Sequence, residues 1–114
     1  MVVADKPTCG VDGKVRRIKD IRGVPMTFEV GGAVSVKQGN GKWLCLQRLQ
    51  HLEPKRRVEY RFAYYMKGVK AGAEGRWVFG QYAMMIPPKL LKSLLTKAAS
   101  EWPDFATLLR RAIK

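Results

Sequence analysis

The sequence predicts an α+β domain: an antiparallel β-meander of about five strands, strongly curled or barrel-like, followed by two C-terminal helices. Three observations carry this. From Met26 to Met66 apolar residues recur largely with a period of two, the spacing of a half-buried strand. A Gly-Gly pair and an Asn-Gly pair interrupt that region at turn spacing. After Pro87-Pro88 the period becomes that of an amphipathic helix. At 114 residues the chain fits one domain, and the expected division is a flexible N-terminal arm over 1–13 and a single unit over 14–114.

The elements follow in order. The first dozen residues hold Pro7, Gly10 and Gly13 with little periodicity, which reads as an arm. Val15, Ile18 and Ile21 recur every three residues, a spacing that fits neither strand nor helix, so 14–22 receives no assignment. Met26, Phe28 and Val30 alternate with Thr27 and Glu29; Gly31-Gly32 reads as a two-residue turn, and Val34 and Val36 resume the alternation. Gln38-Gly39-Asn40-Gly41 is the next turn. Strands are expected at 26–30, 33–38 and 42–49.

The segment 56–67 is the longest strand candidate. Val58, Tyr60, Phe62, Tyr64 and Met66 form one face, and Arg57, Glu59, Arg61, Ala63, Tyr65 and Lys67 the other. The glycine-bounded loop Gly68–Gly75 leads to a strand over Arg76–Ile86, which Pro87-Pro88 terminates. Leu90, Leu91, Leu94, Leu95 and Ala98 share one helical face. Trp102-Pro103 breaks that helix, and a second carries Phe105, Leu108, Leu109, Ala112 and Ile113, with Asp104 at its start and Arg110, Arg111 and Lys114 at its end.

Two strands are apolar on both faces. Trp43, Cys45 and Leu49 oppose Leu44 and Leu46, while in 76–86 Val78, Tyr82, Met84 and Ile86 oppose Trp77, Phe79, Ala83 and Met85. Two helices cover one sheet face only. The other face must curl onto itself, pair with a second copy to give a homodimer, or hold a ligand.

Charge sets the expected partner. Lys and Arg number 22 against 9 Asp and Glu, a net charge of +13. Residues 1–54 carry nine Lys and Arg against five acids, net +4; residues 55–114 carry thirteen against four, net +9. Arg110, Arg111 and Lys114 suit a helix C-terminus. The remainder is densest from Lys55 to Arg76. Phosphate oxygens call for dispersed cations and unpaired bases for aromatic planes. The expected function is therefore non-enzymatic binding of DNA or RNA. Lys55, Arg56, Arg57, Arg61, Lys67, Lys70 and Arg76 would contact the backbone, with Tyr65 and Trp77 stacking on bases. The bland reading of the same residues is a solvated strand face. The alternative function is a pocket for a small anionic or aromatic ligand between sheet and helices, lined by Trp43, Phe62, Tyr64, Trp77, Phe79 and Tyr82; a dimerising interaction module is a third.

Other classes find little support. Cys9 and Cys45 lie far apart, and with one histidine the chain lacks a zinc-ligand set, so neither metal nor cofactor is expected. Absence of an apolar run of about 20 residues argues against a membrane span. Asp5 interrupts any signal-peptide core, which points to the cytoplasm and thus to two free thiols rather than a Cys9–Cys45 bridge. Cys45 reads as a small core residue. His51, before Glu53-Pro54, reads as an exposed turn residue; with no nucleophile motif beside it, the chain has no recognisable catalytic signature.

The stretch 57–86, with VEYRFAYYMKG and GRWVFGQYAMMIP, resembles a pattern in small uncharacterised bacterial proteins, some carried on mobile DNA such as integron gene cassettes. It spans about a quarter of the chain and implies a bacterial cytoplasmic accessory protein, without carrying any activity or site residue across.

Overall fold

The computed structural model describes residues 6–67, 76–80 and 85–113. Five antiparallel strands form one sheet in chain order: β1 Val15–Lys19, β2 Pro25–Lys37, β3 Lys42–Glu53, β4 Arg57–Lys67 and β5 Trp77–Phe79. Two helices follow, α1 Pro88–Glu101 and α2 Pro103–Ala112. The α+β meander with C-terminal helices is thus as the sequence indicates, but the strands are divided differently.

Gly31-Gly32 is not a turn. Val30 pairs with Leu49 and Gly32 with Arg48, so Gly31 is the extra residue of a β-bulge and β2 runs on through it. A bulge bends and twists its strand instead of reversing it. The fifth strand comes from the unassigned segment, since β1 pairs with Met26 and its neighbours. Its three-residue recurrence hid a strand whose side chains are mostly solvated, where no apolar alternation is enforced. The β1–β2 turn is built by Asp20, whose carboxylate accepts the backbone N–H groups of Arg22 and Val24 at 2.8 and 2.9 Å. The strand expected over 76–86 is confined to 77–79 among the described residues: 85–87 are not strand and 81–84 lie outside them, as do Lys70 and the 68–75 loop.

The helices cover one sheet face. Val36, Leu44, Leu46 and Tyr64 meet Leu94, Ala98 and Phe105 in the largest core cluster. Trp102 serves both helices, closing α1 by donating its N–H to the Ala98 carbonyl (2.8 Å) and starting α2 with its own carbonyl, which accepts from Ala106 N–H (3.1 Å). Pro103 occupies the first turn of α2, where its missing N–H is no loss. Tyr60 lies 5.0 Å from the Phe105 ring and 5.8 Å from that of Trp102. Asp104 accepts from Arg48 at 2.6 Å and from Tyr60 Oη at 3.3 Å, fixing α2 to β3 and β4. Only Phe105 of the expected α2 stripe is buried; Leu108 and Ile113 are exposed.

The opposite face curls inward. Phe28, Val30 and Leu49 form a second buried cluster, and Cys9, Cys45 and Ala63 a third. Cys9 and Cys45 form a disulfide, with Cα atoms 6.3 Å apart. The free-thiol expectation is therefore overturned: it followed from an assumed reducing compartment, whereas a bridge is what an oxidising one favours. The bridge also ties residues 6–13, read as an arm, to the sheet. Pro7, Cys9 and Gly10 are buried, and Gly10 (φ 83°) sits so close to Gln47 and Tyr65 that a Cβ there would crowd both.

Two outcomes follow. Reducing the bridge, whose cysteines are 36 residues apart, lowers folding stability by about 3–4 kcal/mol through the freed loop entropy, read from denaturant midpoints with and without a dithiol reductant; an unchanged midpoint would show that the tether contributes nothing. The Asp104 carboxyl is held below the usual carboxylate range by its hydrogen bond from Arg48. A lowered folded-state value means this contribution is present above the unfolded carboxyl value and is lost as pH falls through the folded one. Acid unfolding curves of the Asp104→Asn variant should lack that part of the low-pH slope.

Candidate functional site

Strand register assigns every side chain of the open face. Along β3 it carries Trp43, Cys45, Gln47, Leu49 and His51, opposite Tyr65, Ala63, Arg61, Glu59 and Arg57 of β4. Ser35 and Lys37 of β2 flank Cys45 and Trp43, while Phe79 and Trp77 of β5 flank Tyr65 and Lys67. The expected grouping of Arg57, Arg61, Tyr65 and Lys67 on one face of β4 is thus observed, and it is the face without helices.

The centre is organised by a buried amide. Gln47 is fully buried. Its Nε2 donates to the Cys9 carbonyl at 2.7 Å and lies 3.5 Å from Tyr65 Oη; its Oε1 accepts from Arg61 Nε at 2.8 Å. The Arg61 guanidinium lies 5.4 Å from the Phe28 ring and 5.2 Å from the Phe79 ring. Such ring contacts offset part of the cost of removing a cation from water. Burial nonetheless pushes the Arg61 value down, and Arg16 adds repulsion. No carboxylate lies within ion-pair distance of Arg61 among the described residues. Burial likewise raises the Tyr65 hydroxyl, against the opposing influence of Arg16 and Arg61. That Arg16 of β1 acts on two β4 residues shows how far the sheet curls: β2 and β3 lie between them in strand order.

At the β2–β3 hairpin end the face opens into a cleft of about 510 Å³ lined by Lys37, Asn40, Gly41, Trp43, Lys67 and Trp77. Lys67 Nζ sits 5.4 Å from the Trp77 ring, and Lys6 Nζ 5.7 Å from that of Trp43. Among the described residues, neither Lys6, Lys37 nor Lys67 has an acid within ion-pair range, and no acid lines the cleft.

The far end differs. Lys55 and Arg56 are exposed in the β3–β4 connection, ten or more residues from Lys67 along β4, roughly 33 Å in an extended strand. Arg57 is engaged by Glu59 at 3.6 Å, by the Lys55 carbonyl and by Met26 Sδ. The sequence patch from Lys55 to Arg76 is therefore two groups, with half-buried Arg61 between them. His51 is not an exposed turn residue: β3 runs through it, it is 2% exposed, and its ring centre lies 5.6 Å from that of Phe28. Its Nε2 is 2.7 Å from Glu59 Oε1, at an angle outside hydrogen-bond geometry, and its Nδ1 has no partner among the described residues. The turn reading failed because the strand expected to end at 49 runs on to Glu53, before Pro54.

Of the expected aromatics, Tyr65 is committed to packing, edge-on to Phe79 at 5.5 Å and 78°. Trp77 reaches the cleft, and Trp43 joins it. Arg76 is exposed beside Trp77, and Lys70 lies outside the described residues. The sheet–helix ligand pocket does not exist as one space: alternation turns Phe62 and Tyr64 toward the helices and Trp43, Trp77 and Phe79 away from them, with Tyr82 outside the described residues. Sequence reasoning missed Lys6 and Arg16, which reach this face only through the disulfide and the curl, and Lys37, which the β2–β3 register sets beside Trp43. Gln47 was findable as a lone amide in an apolar run. Among the described residues no three His, Cys, Asp or Glu side chains gather into a metal site, and no helix is long and apolar enough to cross a membrane.

Comparison with protein-family models, curated proteins and solved structures finds no match for this chain.

Replacing Gln47 by Leu strands the Cys9 carbonyl and Arg61 Nε. A loss of about 2–4 kcal/mol in urea unfolding is expected, in line with unpaired buried polar groups; a loss below about 0.5 kcal/mol would remove Gln47 as the organiser of this face.

Proposed function

We propose that this chain is a non-enzymatic nucleic-acid-binding protein whose open sheet face receives the phosphate backbone of DNA or RNA. The observation that carries the reading is a cleft in which two indoles and two lysines converge with no acid among its described lining residues, with Lys6 over one indole and Arg61 further along the same face. Arg48, Arg16 and Arg22 each have an acid, in Asp104, Asp12 and Asp20. Lys37 and Lys67 have none within ion-pair distance among the described residues. Lysines close together without acids repel one another and lower stability, an arrangement that a polyanion relieves. Lys67 and Trp77 belong to the contact surface, with Lys6, Lys37 and Trp43 added to them; Lys55 and Arg56 extend it along the backbone, and Arg61 supplies a fixed charge at its centre.

Binding of this kind releases counterions, so affinity falls steeply with salt. For roughly five phosphate contacts, raising salt from about 50 to about 200 mM should weaken binding of a fluorescein-labelled oligonucleotide at least about a hundredfold in anisotropy titrations. Lys67→Glu should weaken it about tenfold more at low salt and flatten the salt slope by about one contact. Absence of binding at low salt, or an affinity indifferent to salt, would sink the reading.

A further inference from the structure

We infer that the partner is a single strand, and that an unpaired base enters the cleft between Trp43 and Trp77. This rests on the nucleic-acid reading and deepens it. Trp43 of β3 stands opposite Tyr65, and Trp77 of β5 opposite Lys67, so the two indoles flank β4 on the same face of the sheet. Strand spacing and rise put their Cα atoms on the order of 12 Å apart, and the cleft of about 510 Å³ occupies the space they flank. Lysines stand over both indoles, at 5.7 Å for Lys6 on Trp43 and 5.4 Å for Lys67 on Trp77. A cation beside an aromatic plane matches one nucleotide: the ring takes the base and the ammonium takes its phosphate.

The shape selects among nucleic acids. In a duplex the bases are stacked on one another and present only their edges in the grooves, so aromatic planes find nothing to stack on. Duplex readers place a helix or ribbon that projects into a groove. This face recedes instead: the sheet curls until Phe28 of β2 and Phe79 of β5 both reach the Arg61 guanidinium of β4, at 5.4 and 5.2 Å, and the indoles lie at one end of the trough. Of the three tryptophans, Trp102 is set apart on the helix side, stacked on Phe105 at 6.2 Å, and serves as an internal reference for the other two.

The test uses the intact chain with a 12-nucleotide oligothymidylate, the matching oligouridylate and a blunt 12-base-pair duplex at low salt, followed by anisotropy and tryptophan emission. The single strands should bind at least about tenfold more tightly than the duplex and quench emission. Trp77→Ala and Trp43→Ala should each lose about tenfold for the single strands, the scale of one base–aromatic stack, and little for the duplex. Because an alanine variant can fail to fold, the double variant Trp43→Phe, Trp77→Phe is the second arm. It keeps the rings and should retain most of the affinity, while its remaining Trp102 emission stays unquenched. Equal affinity for duplex and single strand, or quenching that survives in the double variant, overturns the single-strand inference and leaves salt-dependent binding standing. Binding of none of the three overturns both.

Discussion

The constraint on which the rest of the structure depends is that β3 must be buried on both sides. Leu44 and Leu46 look toward the helices, while Cys45, Gln47, Leu49 and His51 look the other way, and all six are almost inaccessible. Two short helices supply cover for the first set only. The second set has to be enclosed by the sheet itself, which requires β2 to bend, and the bulge at Gly31 is where it does so. Phe28 and Val30 are thereby brought over Leu49, and the Cys9 bridge closes the gap above Cys45 and Ala63. Curling meets the need that self-pairing would otherwise have met.

Enclosure by curling has a consequence for polar groups. A trough lined by strands collects whatever residues alternate inward, including charged ones, and each must find a partner. Gln47 resolves this for two neighbours at once, giving its amide N–H to the Cys9 carbonyl and its oxygen to Arg61. The aromatic rings of Phe28 and Phe79 take the faces of the guanidinium. What they do not provide is a negative charge. Arg61 is therefore fixed in direction and left electrically unbalanced, which distinguishes it from Arg48, anchored on Asp104 at the opposite face.

Most of the architecture was legible from periodicity, because alternation directly reports which side of a pleat is dry. It identified both faces of β4 and the switch to helices at Pro87-Pro88 correctly. It failed where two physical situations share one local signal. Gly31-Gly32 suits a tight turn or a bulge equally well, and the choice depends on whether Ala33–Lys37 finds its partner on the same strand, β3, that pairs Val30; it does. The strand β1 is solvated on most positions, so nothing in its own residues enforces alternation. His51 next to Glu53-Pro54 resembled a strand end, and only the pairing with Arg57 shows the ladder continuing past it. In the site, residues on β4 and β5 were legible because alternation places them. Lys6 was not, since only the Cys9–Cys45 bridge brings it over Trp43.

The distribution of acids sharpens what the net charge of +13 means. An excess of cations spread over a surface is compatible with solubility alone. Here four of the described acids have particular tasks. Asp20 closes a turn, Asp104 docks a helix, Asp12 holds Arg16, and Glu59 sits against His51 and Arg57 at the far end of the trough. None is placed at the β2–β3 hairpin end, where Lys6, Lys37 and Lys67 meet two indoles. Part of the excess thus lies where the sheet offers aromatic planes and, among the described residues, no counter-charge. A face built for solvent would have no reason to hold large apolar rings beneath its cations, because the rings gain nothing from water. Both features would serve the proposed partner, a chain of flat rings joined by anions.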